Sequence, residues 1–186
     1  MHDVGVIHGR FQGLHFQHME YLLAGKARCR FLYVGITNPD PTLTRDAAED
    51  PRRSRDDANP FTYYERLIML RGALIEAGVE RSDFEIVPFP INHPWLLQYY
   101  TPKTATYFVT IYDDWGRAKA QTLKELGLAV EIMWDKPIGE KLTTGTEVRR
   151  LIAEGGRWED IVPQSVARFI KSIDAARRIR EGTQHD

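Results

Sequence analysis

Short apolar runs rich in β-branched and aromatic residues alternate along this chain with longer stretches of helical period. Few architectures bury both kinds of element, and the one that fits strict alternation is a parallel sheet whose strands are joined by crossover helices. Strands are expected over residues 4–8, 31–37, 84–89, 106–112 and 128–134. Helices are expected over 15–26, with Met19, Leu22 and Leu23 on one face, and over 61–77, with Leu67, Leu70 and Leu74 at the spacing of a core-facing stripe. A third is expected over 114–126. After Trp134 the pattern changes to helix, turn, helix: 146–154, then Gly155 and Gly156, then 163–180. The fold class expected is therefore α/β: a Rossmann-like parallel five-stranded sheet with crossover helices and a C-terminal helical subdomain. Residues 1–135 would form the α/β core and 136–186 the helical part, which is not independent of it.

Residues 38–59 are the one long irregular stretch, holding Pro39, Pro41 and Pro51 among dense charge of both signs, including Arg52, Arg53 and Arg55. Loops of that length in compact domains are functional or disordered. The whole chain, at 186 residues, fits one domain with a helical appendage. Its 25 basic and 26 acidic side chains nearly cancel, which argues against a nucleic acid polymer as partner, because such affinity comes mainly from Lys and Arg neutralising phosphates. Small anions stay open. The single cysteine, Cys29, makes neither an intramolecular disulfide nor a zinc cluster. There is no secretory leader pattern and no apolar run near the ~20 residues that span a bilayer. A soluble cytoplasmic protein with no membrane partner is the expectation.

The most informative segment runs from Gly9 through Arg10, Phe11, Gln12 and Gly13 to His15, Gln17 and His18, where the first strand hands over to the first helix. In open parallel sheets ligands bind beyond the carboxyl ends of the strands, and a helix N-terminus there offers unpaired N–H groups to an anion. His15 and His18 stand three apart and share a helix face. With Arg10 beside them they form a phosphate clamp, unless the pair is incidental to function or half of a metal site lacking its other ligands. A second group is Thr143, Thr144, Gly145, Thr146, Glu147, Val148, Arg149 and Arg150. Its hydroxyls either cap a helix, with Thr146 as the capping residue, or meet phosphate oxygens with Arg149 and Arg150 one turn inside. Asp113 and Asp114, at the end of the fourth strand, either receive sugar hydroxyls or cap the next helix. Asn59 and Thr62 would cap the helix that carries Glu65 and Arg66, a pair read as solvated or interhelical.

Together these segments resemble the HxGH nucleotidyltransferase superfamily, and more narrowly the archaeal-type nicotinamide-nucleotide adenylyltransferases. The resemblance is carried by GRFQ at 9–12, the two histidines, NPFTYYER at 59–66, Trp95, TGTEVRR at 144–150, and the run WEDIVPQSVARFIKSI at 158–173. It implies transfer of a nucleoside monophosphate from a triphosphate, ATP first, to a mononucleotide-like acceptor, nicotinamide mononucleotide first, giving NAD and pyrophosphate. CTP as donor, or another phosphate or phosphonate acceptor, is the alternative within that chemistry, and a non-catalytic nucleotide-binding protein the alternative outside it. By this resemblance His15 and His18 would stabilise charge at the α-phosphorus, and Arg10 and Arg149 would clamp the outgoing phosphates. Gly9, Phe11, Gln12, Gln17, Thr144, Gly145 and Thr146 would contact the nucleotide. Trp95 would stack on the acceptor's flat group, with His93, Asn59 and Asp113 as further acceptor contacts. Mg²⁺ would travel on the triphosphate, with no protein side chain as its ligand, and the enzyme would be a homo-oligomer. The 136–186 part would complete the phosphate site. The chain departs from the family at Gln17, where a small residue is usual near the base, at Gly13, in the 88–95 segment and at 110–114.

Overall fold

The structure, a computed structural model, describes residues 1–44, 58–137, 139 and 143–183. Arg52, Arg53 and Arg55 lie outside them. Strand β1 (His2–Gly9) leads through the turn of the first motif into α1 (Phe16–Lys26), and β2 (Cys29–Ile36) follows. A one-turn helix, α2 (Pro41–Thr44), precedes the first undescribed stretch. Then come α3 (Tyr63–Glu76), β3 (Phe84–Pro88), β4 (Thr106–Ile111), α4 (Asp114–Glu125) and β5 (Ala129–Asp135). The chain ends in α5 (Gly145–Glu154), α6 (Gln164–Ser172) and α7 (Ala175–Thr183). All neighbouring strands pair in parallel, in the order β3-β2-β1-β4-β5. The expected Rossmann-like α/β sheet is present, and its strand order reverses between β1 and β4, where such sheets open a ligand crevice.

Strand alternation divides β1 between two apolar cores. Ile7 joins a cluster with Leu22 of α1, Met69 and Leu74 of α3, and Ile152, Val166 and Ile179 of the C-terminal helices. Val6 joins a second cluster with Phe89, Tyr107, Ala120 and Leu123 beneath α4. The C-terminal helices thus share the sheet's larger core. Of the expected α1 face Met19 and Leu22 are buried, while Leu23 is exposed. Among the described residues no helix is long and apolar enough to cross a membrane.

Several boundaries differ from the sequence expectation, each for a local reason. Helix α3 begins at Tyr63, not at Phe61, because Thr62 forms a capping box with Glu65: the Thr62 hydroxyl accepts from Glu65 N, and the Glu65 carboxylate accepts from Thr62 N. Helix α5 is capped by Thr144, whose hydroxyl accepts from Glu147 N, and not by Thr146, which lies inside the helix. The helix expected over 163–180 is two helices, because Asp174 adopts the left-handed region (φ 48°) and ends the first. Its short polar side chain makes aspartate one of the few residues that tolerate that conformation. Of the two readings of Glu65 the interhelical one holds, with another arginine than Arg66: it pairs with Arg178 of α7 at 2.9 Å.

Helix α6 starts after Pro163, which has no side-chain acceptor to offer the first turn. Glu76, at the end of α3, supplies it: its carboxylate accepts from Gln164 N (3.0 Å) and Ser165 N (2.6 Å). Glu76→Ala should lower unfolding stability by about 1–2 kcal/mol, the usual worth of an N-terminal cap, read as a lower urea midpoint with an unchanged slope. Equal midpoints would show that solvent caps α6 as well as Glu76 does.

Candidate active site

At the carboxyl ends of β1 and β4 the structure opens a cavity of about 340 Å³, a size suited to small ligands. The turn after β1 forms one wall, and its shape is set by buried polar groups reaching from distant elements. Arg66 of α3 is only 2% exposed, and its guanidinium donates to the carbonyls of Arg10 (2.9 Å), Thr37 (2.8 Å), Asn38 (2.7 Å) and Thr62 (3.2 Å). Burial, and then the Arg10 cation, bring its pKa down to about 10, so it stays charged at neutral pH. Gln12 is also buried: its amide donates to Phe61 O (2.9 Å) and accepts from Phe61 N (3.0 Å). The Gln12 carbonyl in turn accepts from Arg149 Nη1 of α5 at 2.7 Å. Phe11 is held at φ 52° and Gly13 at φ 90° within this turn.

Helix α5 approaches the same turn so closely that a Cβ at position 145 would stand 2.4 Å from Gln12 O. Only glycine allows that approach. Arg149, 7% exposed, also donates to Thr146 Oγ1 (3.1 Å), while Arg150 points outward and pairs with Glu147 and Glu154. His15 caps α1, its Nδ1 accepting from His18 N (3.4 Å). The two imidazoles stack with centroids 3.8 Å apart, and the Phe11 ring meets His18 edge-on. Gln17 Oε1 accepts from Thr143 N (3.4 Å), tying the start of α1 to the segment before α5.

The structure therefore brings to one cavity every residue that the resemblance put on the phosphates and nucleotide, Gly9, Arg10, Phe11, Gln12, His15, Gln17 and His18 from the first segment and Thr144, Gly145, Thr146 and Arg149 from the second, but not Arg150. Asp113 also lines it, and caps α4 by accepting from Gly116 N at 2.7 Å. It does not bring Trp95, His93 or Asn59 to this lining. Trp95 sits on a 3-10 helix, Pro94–Tyr99, is 61% exposed and has His93 edge-on to its ring.

Apart from Asp113 and the 110–114 segment, sequence reasoning missed the cavity's second wall, which rises from β1, β4, β5 and α4. His8 lies buried there, and burial followed by the Lys119 cation holds its imidazole well below the usual histidine range. Lys119 Nζ sits 3.9 Å from the centroid of the Trp115 ring, and Trp134 Nε1 donates to Tyr112 OH (2.8 Å). Burial pushes the Tyr21 phenol up, and its OH donates to Phe108 O. Most of these residues lie within a few positions of a strand's carboxyl end, the one signal that could have marked them. The lining carries Arg10, Lys119 and Arg149 against the single carboxylate of Asp113, so it suits an anion. Among the described residues no group of three His, Cys, Asp or Glu is placed to hold a metal ion.

No protein-family profile matches the chain. It is 54% identical over 179 residues, 95% of either chain, to a phosphonoformate cytidylyltransferase of Streptomyces viridochromogenes. It is 32% identical over 178 residues to a nicotinamide-nucleotide adenylyltransferase of Thermococcus onnurineus, covering 95% of this chain and 86% of that one. In fold it is similar to a bifunctional NMN adenylyltransferase/ADP ribose pyrophosphatase of Francisella tularensis, with a TM-score of 0.64 at 13% identity over all of this chain and 54% of that longer one. Near full-length relatedness to both a cytidylyltransferase and an archaeal adenylyltransferase, on a fold with this phosphate-suited crevice, makes the chain an enzyme of the nucleotidyltransferase family close to the archaeal nicotinamide-nucleotide adenylyltransferases.

Proposed function

We propose that this enzyme transfers CMP from CTP to a small phosphonate acid, with phosphonoformate as the first acceptor to test. The observation that carries the reading is the 54% identity, over 95% of both chains, to a phosphonoformate cytidylyltransferase. Two features of the cavity support it. Gln17 fills the ground between α1 and the segment before α5, where a purine would need more room than a pyrimidine. Trp95, the platform expected for a nicotinamide ring, is outside the lining. A second reading, ATP with nicotinamide mononucleotide, is favoured by the archaeal relatives at about one-third identity.

In either case an acceptor oxygen attacks the α-phosphorus, a new P–O bond forms, the bond from that phosphorus to the bridging oxygen breaks, and pyrophosphate leaves. No covalent enzyme intermediate is needed, because nucleotidyl transfer asks mainly for positioning and charge neutralisation. His15 and His18 face the α-phosphorus as donors, and Arg10 holds the outgoing phosphates. Arg149 acts through the turn it ties as well as by its charge, since its Nη1 is committed to Gln12 O. Mg²⁺ fits this site as a passenger of the triphosphate, where it would neutralise phosphate charge: the lining has one carboxylate, already used as a helix cap.

Pyrophosphate release should be measured with ATP, CTP, GTP and UTP, each against phosphonoformate and against nicotinamide and nicotinate mononucleotides. Release is expected with CTP and phosphonoformate; release confined to ATP with a pyridine mononucleotide would replace the first reading by the second. His18→Ala should cut turnover by ~100-fold or more, as expected for loss of a transition-state charge contact, with the thermal midpoint retained. A rate close to wild type would make the stacked histidines structural. Gln17→Gly should raise ATP use relative to CTP, and an unchanged ranking of triphosphates would remove Gln17 from donor selection.

A further inference from the structure

His8 is the last side chain of β1 before the phosphate turn, and a small residue or an aliphatic one would serve the sheet there. Instead the position holds an imidazole that is 5% exposed and lines the cavity, with an Nδ1 that has no hydrogen-bond partner among the described residues. Leaving a buried polar atom unpaired is costly in a folded protein, so an imidazole that carries one and lines a cavity points to a ligand. The ring is also held rigidly. Phe89 stacks on it at 4.6 Å and 11°, and Phe89 has room because Gly35, which pairs with His8 across β1 and β2, has no Cβ; one there would stand 2.6 Å from the Phe89 ring.

Lys119 reaches the same wall from α4. Its ammonium rests on the Trp115 ring and is near enough to oppose the charging of His8. A lysine and a fixed imidazole on one wall, with no carboxylate between them other than the capping Asp113, make a place for an acidic group beside the phosphate turn. We propose that His8 and Lys119 form the subsite that takes the acceptor's second acid group, the carboxylate next to its phosphonate, while the phosphonate itself lies toward Arg10 and the stacked histidines. This rests on the reading of the acceptor as a small phosphonate acid. It makes His8 and Lys119 the residues that select a carboxylated acceptor over a plain phosphonate. His8 sits at the start of the Gly9–Gln12 turn, so a carboxylate bound to it leaves the adjoining phosphonate within reach of the α-phosphorus.

The test compares wild type with His8→Phe, which keeps an aromatic ring on Phe89, and Lys119→Met, which keeps the stem on Trp115. With CTP as donor, both variants should raise the KM for phosphonoformate by at least ~10-fold, as for loss of a charge-assisted hydrogen bond. The KM for CTP and the KM for methylphosphonate, which lacks the carboxylate, should stay within about twofold. Calorimetric titration of phosphonoformate into each protein, with and without a non-hydrolysable CTP analogue, reads binding independently of turnover, and thermal midpoints report folding. Transfer with an unchanged phosphonoformate KM in both variants overturns the subsite and leaves the reaction standing. A rise confined to the KM for CTP overturns it too, by assigning His8 to the nucleoside. Phosphonoformate binding that depends on His8 without pyrophosphate release overturns the reaction and leaves the subsite; no binding to wild type overturns both.

Discussion

The candidate site depends on one constraint: the turn between β1 and α1 is held by its carbonyls. Arg66 donates to Arg10 O and Arg149 to Gln12 O, while the Gln12 side chain closes a pair of hydrogen bonds with Phe61. Each guanidinium is buried, so each must be fully engaged to offset the loss of water, and carbonyls are strong acceptors for that purpose. With the carbonyls tied in this way, the turn holds a fixed shape as one wall of the cavity. Both arginines come from elements far away in sequence, α3 and α5. The turn therefore takes its shape only when those helices have docked, and the same apolar cluster that docks them, from Met69 and Leu74 to Ile152 and Ile179, is a condition of the site.

How much of this is legible in the sequence depends on how local each cause is. The order of strands and helices follows from hydrophobic period, a local property, and so does the composition of the turn at 9–18. Arg66 reads as a surface residue because its partner along the helix is Glu65; that three carbonyls from other segments surround it is set by tertiary packing alone. Thr144 and Thr146 are equivalent caps on paper, and the contact of Gly145 with Gln12 O decides between them by fixing where α5 begins. The break at Asp174 has no glycine or proline to announce it, and the apolar period runs on through Ala175 and Ile179. Trp95 illustrates the opposite case, in which a residue type suited to stacking is picked out by its chemistry, while the 3-10 helix carrying it leaves its ring in solvent and outside the cavity lining.

The near-zero net charge hides a division of labour of the same kind. Acidic residues such as Glu65, Glu76, Glu131 and Glu147 are engaged in caps and ion pairs on the outside of the fold. The cavity, in contrast, has three permanent cations against one carboxylate. A small-anion enzyme needs only that local imbalance, because a phosphate or carboxylate drawn into a crevice feels the charges that line it far more than the screened remainder.

Strand alternation explains why the cavity has two chemically different walls. Along β1, Ile7 enters the core under α1 and α3, and Val6 enters the core under α4. His8 follows Val6 by two positions and so faces α4; Phe89 stacks on it, and Lys119 lines the same cavity from α4. Gly9 then opens the turn that leads to the histidines of α1. The pairing of His8 with Gly35 and of Gly9 with Ile36 fixes this arrangement, because a slip of one residue would turn the imidazole into the other core and place Ile7 against Phe89. The register of a single central strand thus separates the wall that carries Arg10 and the stacked histidines from the wall that carries His8 and Lys119.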